Sequence, residues 1–495
     1  MEHPKLTLRV MAAPPPSLRA LAASLLLAVA ARATLVLTSE PPAGYNTFMS
    51  YAPADLNATS LPALAALFAA SPLARMGGFV DFVVDGGWSN SWLPNGSSVQ
   101  HLDGFGRPVP APERFPDGLR DIAIGVKALG LRFGLWHIRG IHVDASARRL
   151  PVKGMPQYTL DMLVDAGSPG GGLNGSCLWA PEWLGVNASH PAAQAYYDSI
   201  VEQLVENLGA DIIKGDCFFC RPCYSSEMLL IANSVKARPE PVTLYLSPGG
   251  GALVSDGQWA ADNQVATFYR TITDFDSGDW FDWGGLQQAV FIAGNFSAGG
   301  LHGANGTWPD LDMLPIDAQW WQQGEPVERR DRGQLIFSLW SMGRYPLTSS
   351  GLLPLDSLTL SYYTNPRALA LNRRAEVAPT SVSYSGNCTC TGGQGSCTIP
   401  HGPSDHPALP CVATWVAVVG APGSWTALMV ANIGEDAATS STGFEALGLP
   451  ATAANVYRVE DVWSGAMLGD FVGDESIVLN LRPHASALLQ VTRLA

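Results

Sequence analysis

"PAAQAYYDSIVEQLVENLGADIIKGD", residues 191–216, joins a helix to a strand within one short stretch. Pro191 suits a first helical turn, where the missing N–H costs nothing. Tyr196, Tyr197, Ile200, Val201, Leu204 and Leu208 recur at helical spacing on one face, and Gly209 suits the C-terminal cap. The apolar run Ala210-Asp211-Ile212-Ile213 then reads as a strand entering a core, and it finishes on Lys214 and Asp216. Residues two apart in a strand share a face, so the lysine and the aspartate point the same way.

The unit repeats outward in both directions. Between about residues 44 and 375, strand candidates occur at "GYNTFMSY", "GFVDFVVDGG", "LRFGLWHI", "ADIIKGD", "VTLYLSP", "ATFYRTITDF", "GTWPDLDML" and "YPLTSSG", with amphipathic segments between them. Eight strand–helix alternations in some 330 residues predict an α/β fold of the (β/α)8 TIM-barrel type, residues 41–376. A doubly wound open sheet is the competing arrangement, but no glycine-rich phosphate fingerprint follows the first strand. Beyond about Val377 helical periodicity fades. "TWVAVVG", "SWTALMVANIG", "NVYRVEDVWSG" and "SIVLNLRPHASALLQVT" predict a C-terminal antiparallel β-sandwich over residues 377–495.

Composition agrees with a large packed core. The chain has 495 residues, of which 47% are hydrophobic and 15% charged. Its formal net charge of −14 argues against nucleic acid or an anionic membrane as partner. At the N-terminus, Lys5, Arg9 and Arg19 precede the apolar "LAASLLLAVAA" and the small-residue "ARA", the pattern of a secretory signal over residues 1–33. Seven N-x-S/T sequons, at Asn57, Asn95, Asn174, Asn187, Asn295, Asn305 and Asn387, fit a glycosylated protein that is secreted to the cell wall or sent to a vacuole or lysosome. Eight cysteines suit an oxidising compartment. Cys217, Cys220 and Cys223 have metal-like spacing, with disulfides as the alternative, and Cys177 to Cys217 is a plausible bridge. Cys388, Cys390, Cys397 and Cys411 allow three pairings.

In a (β/α)8 barrel the active site forms at the C-terminal ends of the strands. The polar residues there are Asp85 on strand two, His137 and Arg139 on strand three, Lys214 and Asp216 on strand four, Arg270, Asp274 and Asp276 on strand six, and Asp310 and Asp312, behind Trp308, on strand seven. A lysine beside an aspartate keeps it ionised, the state a nucleophilic carboxylate needs. Retaining glycoside cleavage needs a second, protonated carboxyl about 5–5.5 Å away. Asp274 is the candidate and Asp276 its rival, because the crowd of Asp276 and Asp279 would raise a carboxyl pKa. Each of these residues also has a structural reading: an aspartate after a strand caps a helix or makes a turn, Asp279 and Asp282 could cap the helix near Trp283, Lys214–Asp216 could be an ion pair, and His137 and Arg139 could be satisfied inside the barrel wall. What favours chemistry is that several strands offer such groups at one end. Nine histidines supply no H-x-H pair on a strand, so no zinc site is expected, and no G-x-S-x-G elbow is present.

At these residues the sequence resembles the melibiase family of α-galactosidases, glycoside hydrolase family twenty-seven. "PPAGYNTF", "RFPDGLRDIAIGVKALGLRFGLW", "GADIIKGDC", "YRTITDFDSGDWFDW", "WPDLDMLPI", "FSLWSMGRYPLTSSGLLPLD", "YYTNPRALALN" and the tail "VEDVWSGAMLGDF…LRPHASALLQVT" resemble the family's segments in order, from about Pro41 to the end. "LSPG" after strand five is closest to the plant-type members. The resemblance implies Asp216 as nucleophile and Asp274 as acid/base, with Asp85, Lys214, Arg270 and Asp312 on the sugar. We add Trp88, His137, Arg139, Trp308 and Met313 to the expected substrate-binding set. It implies terminal α-galactosides as substrates, hydrolysis with retention, and no metal or cofactor. The sequence also departs from the pattern. Gly86 stands where the family has a second acid, strand five carries no acid in "LYLSPGGG", and Tyr45 replaces a tryptophan. β-L-Arabinopyranose is α-galactose without its hydroxymethyl arm, so a β-L-arabinopyranosidase is one alternative and a catalytically impaired galactoside-binding protein another. Oligomeric state is left open.

Overall fold

The computed structural model describes residues 35–93, 96–165, 167, 175–219, 223–247, 252–272, 274, 283–314, 316, 326–373, 381–385, 412–420 and 425–494. The expected signal segment, Asp276, Asp279, Asp282, the cysteines from Cys388 to Cys411 and the expected domain junction at 376/377 lie outside them.

The stretch quoted first is a helix followed by a strand. The helix is α-helical over Ala193–Glu202 and continues as a π-helical turn, Gln203–Asn207. Its buried face includes Tyr196, Tyr197, Ile200, Val201, Leu204 and Val205. Gly209 ends it at φ +83°, a conformation that suits glycine. The strand that follows is one of eight: β1 (Ala43–Asn46), β2 (Asp81–Val84), β3 (Arg132–Ile138), β4 (Ile212–Asp216), β5 (Thr243–Leu246), β6 (Phe268–Arg270), β7 (Trp308–Asp310) and β8 (Leu347–Ser349). All neighbouring pairs are parallel, in the order 7-6-5-4-3-2-1-8. The Leu314 N–H donates to Thr348 O (2.8 Å), tying the end of β7 to β8 and closing the ring. This is the TIM barrel expected from the alternation. Helices α1 (Ser60–Ala70), α2 (Arg120–Ala128), α3 (Ala193–Glu202), α4 (Ser225–Lys236), α5 (Val254–Asn263), α6 (Trp283–Ala298) and α7 (Pro326–Met342) connect successive strands.

The C-terminal part is the expected antiparallel β domain. A six-stranded sheet contains Ser381–Ser385, Val412–Val419, Trp425–Asn432, Ser486–Arg493, Val456–Asp461 and Met467–Val472, in that order, and a two-stranded sheet pairs Ala438–Gly443 with Ser476–Leu481. Leu428, Val430, Phe444, Tyr457, Val459, Ile477, Leu489 and Val491 form its own core. The opposite face of the sheet, with Ala413, Trp415, Met429 and Leu488, joins the same apolar cluster as Ile336, Leu339 and Trp340 of α7. The Trp463 indole stands edge-on to Phe337 and Tyr362 and donates to Ser338 Oγ (3.2 Å). The barrel and the β domain therefore share one apolar interface.

Candidate active site

Register decides which side chains enter the barrel. In a parallel ladder, paired residues face the same way. Trp136, Lys214, Tyr245, Phe268 and Trp308 are linked by pairing across β3 to β7, and so are Arg270 and Asp310 one step higher. Alternation along the strands adds Asp85, Asp216 and Ser247 to the same inward face.

Lys214 and Asp85 meet at the centre. Lys214 Nζ lies 2.6 Å from Asp85 Oδ2, which also accepts from Asn46 Nδ2 (2.8 Å). Both charges are almost wholly buried. Burial alone would lower the Lys214 pKa, but the Asp85 and Asp216 carboxylates outweigh it and hold the ammonium above its ordinary value. Asp216, partly exposed, receives three donors. Oδ1 accepts from the Cys217 N–H (2.9 Å) and from Ser247 Oγ (3.1 Å), and Oδ2 from the Trp136 indole N–H (3.1 Å). Cys217 takes φ +62° and Asp312 φ +77°. Such left-handed conformations in non-glycine residues cost of order 1–3 kcal/mol and cluster at functional sites.

Two strands along the ring, at β6, the Arg270 guanidinium bonds the Asp274 carboxylate and lies 3.3 Å from Asp312 Oδ1. Asp312 Oδ1 also accepts from the Met313 N–H (2.8 Å), and the Met313 side chain is buried beside it. The expected rise of the Asp274 pKa is not found: burial pushes it up, but Arg270 and, further off, Lys214 pull the half-exposed carboxyl below its ordinary value. The field of Lys214 thus reaches both Asp216 and Asp274. Below them Asp310 is buried and pushed up to about 7, by burial first and by Asp312 second, against a hydrogen bond from Tyr245 and the charge of Arg270.

Four residues expected at the sugar lie elsewhere. His137 pairs in register with Gly215 on the outward face of β3, and Arg139 follows just beyond the end of the strand. Arg139 is spent on structure: it pairs with Glu227 of α4, donates to Cys217 O (2.9 Å) and Gly175 O (2.6 Å), and stacks on Tyr224 at 3.4 Å. Tyr197 of α3 holds the other Glu227 oxygen. His137 is buried near Trp183, and desolvation pushes its pKa down to about 3. The inward residue of that strand is Trp136, which sequence reasoning passed over although i, i+2 alternation from Gly134 would have found it. Trp308 is also misplaced by the expectation. It opens β7 and donates to Thr38 Oγ1 (2.9 Å), so it fills the barrel beneath the site. Trp88 is buried, its indole N–H on Trp136 O (2.9 Å), and it supports the platform rather than lining it. Ser247 was missed too, because a serine after a strand carries no distinctive signal.

Cys177 and Cys217 form a disulfide, as the spacing allowed, and Cys223 is disulfide-bonded as well; Cys220, the third cysteine of the metal-like spacing, lies outside the described residues. Among the described residues, no group of three His, Cys, Asp or Glu could hold a metal ion.

Residues 412–491 match the family described as the alpha galactosidase C-terminal beta sandwich domain. No curated protein matches the chain. Among solved structures, the chain is similar to a glycoside hydrolase family 27 β-L-arabinopyranosidase from Geobacillus stearothermophilus, at 24% identity and TM-score 0.73 over 92% of this chain and 97% of that one. It is similar to α-galactosidase I from Mortierella vinacea, at 16% identity and TM-score 0.59 over 92% and 97%. It is also similar to the Saccharomyces cerevisiae α-galactosidase with raffinose, at 14% identity and TM-score 0.60 over 92% and 98%. The chain shares the barrel-and-sandwich fold of these structures. The resemblance to the melibiase family read from the sequence is borne out by that fold and by the matched C-terminal domain.

Proposed function

We propose that the chain is a retaining exo-glycoside hydrolase releasing terminal α-D-galactosyl residues from oligosaccharides or glycoconjugates. The observation that supports this reading is a lysine acting on two aspartates: Asp216, oriented by three donors at the end of β4, and Asp274, on Arg270 beyond β6, with Lys214 acting on both. Asp216 attacks the anomeric carbon while Asp274 gives its proton to the departing oxygen. Water then opens the glycosyl ester as Asp274 takes a proton back. Asp85, Lys214, Arg270 and Asp312 hold the ring hydroxyls. In the free enzyme Asp274 is ionised against Arg270, so it acquires its proton as bound substrate displaces water and loosens that pairing. A panel of aryl glycosides assayed from acidic to neutral pH tests the activity. Asp216→Ala should abolish turnover, and azide should restore it with an inverted product. Turnover that survives Asp216→Ala refutes the assignment.

One observation favours a second sugar. A Cβ at Gly86 would sit 3.5 Å from the Trp136 ring, so an indole face lies where the family's second acid would reach a 6-hydroxyl. A pocket without that acid suits β-L-arabinopyranose, and the Geobacillus stearothermophilus relative in fold is named for that activity. The ratio of kcat/KM on nitrophenyl α-galactoside and β-L-arabinopyranoside separates the two. The signal-like N-terminus, the sequons and the disulfides support entry into the secretory route. A mass shift on endoglycosidase treatment of the secreted protein would test this.

A further inference from the structure

We propose that the Ser247 hydroxyl stabilises the Asp216 carboxylate as it leaves the sugar, so that Ser247 governs the breakdown of the glycosyl-enzyme more than its formation. This rests on the glycosidase reading above.

The two oxygens of Asp216 are not equivalent. Oδ1 is held twice, by the Cys217 N–H at 2.9 Å and the Ser247 hydroxyl at 3.1 Å. Among the described residues Oδ2 has one donor, the indole of the partly exposed Trp136 at 3.1 Å. Oδ2 is therefore the oxygen free to attack, and Oδ1 becomes the carbonyl oxygen of the ester. Ser247 cannot drift from Oδ1. It is fully buried, its N–H donates to Gly215 O (2.9 Å), and its carbonyl accepts from the Phe218 N–H (3.1 Å), so its backbone clasps the chain on either side of Asp216. The hydroxyl must be the donor, because an ionised carboxylate only accepts.

The chemistry gives this bond a direction. In the first step Oδ2 bonds to the anomeric carbon, the carbon–oxygen bond of the leaving group breaks, and Asp274 supplies the proton. In the second, a water oxygen bonds to that carbon, Asp274 takes the proton, and the Oδ2–carbon bond breaks with its electron pair returning to the carboxylate. The share of negative charge on Oδ1 is greatest in the free enzyme, intermediate in both transition states and smallest in the ester. A donor on Oδ1 holds the charged forms most strongly. Removing it raises the ester's barrier to hydrolysis, whereas the barrier to ester formation is not raised by loss of charge stabilisation.

The test uses Ser247→Ala and a dinitrophenyl glycoside, whose good leaving group makes the second step limiting. We expect kcat to fall by roughly tenfold, in line with the loss of one hydrogen bond to a charged group. KM should fall in proportion, kcat/KM should stay within about threefold, and a burst of dinitrophenol should approach one equivalent per active site. Ser247→Thr, which keeps the hydroxyl, should restore wild-type kinetics. Ser247→Cys, close in size but a weak donor, should show the same split if the alanine variant does not fold. A fall in kcat/KM at unchanged KM with no burst would show that Ser247 serves only packing and overturn the proposal. Unchanged kinetics would do the same. Failure of the wild type to release dinitrophenol from any glycoside would instead overturn the glycosidase reading itself.

Discussion

Replacing Asp310 by asparagine should make the protein less sensitive to alkali. The carboxyl is buried, and its pKa is carried from the ordinary 3.8 to about 7, by burial first and then by Asp312. Folded protein thus holds this proton at pH values where unfolded protein has released it. Stability linked to the group is complete below pH 3.8 and is lost as pH rises through about 7. At about 1.4 kcal/mol per pH unit, the full loss is about 4 kcal/mol. About 3 kcal/mol of that falls between pH 4.5 and pH 8. An asparagine has the shape of the neutral acid and can still accept from Tyr245, yet it carries no proton to lose. Urea midpoints of wild type and Asp310→Asn at the two pH values measure the effect. The variant should gain roughly 3 kcal/mol on the wild type in moving from the acidic to the alkaline condition. A difference between the two proteins that is the same at both pH values would refute the reasoning, because it would place the proton elsewhere.

Other outcomes follow from the same geometry. Because Arg270 holds Asp274 below its ordinary value in the free enzyme, kcat/KM should decline on its alkaline side at lower pH than kcat does, and coincident profiles would count against Asp274 as the acid. Gly86→Asp fits against Trp136 at ordinary contact distance, and a carboxylate accepting from a 6-hydroxyl is worth about 1.5–3 kcal/mol. The variant should shift the galactoside to arabinopyranoside ratio of kcat/KM tenfold or more toward galactose, and an unchanged ratio would exclude this position from specificity. The Cys177–Cys217 bond closes a loop of sequence separation 40, so Cys177→Ser with Cys217→Ser should cost about 4 kcal/mol of stability by urea titration. Arg139→Met leaves Glu227 buried without its cation and should destabilise by about 3–5 kcal/mol, and restoring stability with Glu227→Gln would mark Arg139 as structural.

Much of the fold was legible because periodicity is local. The run from Pro191 to Asp216 announces helix, cap and strand by residue type alone, and eight such alternations close only in a few ways. Lys214 and Asp216 were readable as a pair because strand alternation fixes them on one face, and the structure keeps both inside. The errors came where alternation was not pursued. On β3 the charged residues drew attention, yet His137 and Arg139 lie on the helix side, and the uncharged-looking Trp136 faces in. Trp308 illustrates a depth problem: it stands two positions before Asp310 on the strand, enough to move it from the mouth toward the floor. Asp274 depended on which neighbour won. Sequence shows adjacent acids, whereas only the folded chain brings Arg270 against the carboxyl. Ser247 could not be found at all, since its meaning comes from a partner 31 positions away.

The charges gathered around the mouth set the sign of what can enter. Among the described residues, Asp85, Asp216, Asp274 and Asp312 stand against two cations, Lys214 and Arg270, and four of these six are almost wholly buried. The surplus is negative. On the glycosidase reading, a ring that turns positive on its way to reaction should be welcomed there, and so should a protonated sugar amine mimicking it. A uronic acid carries the wrong charge and should be refused even where its hydroxyls match.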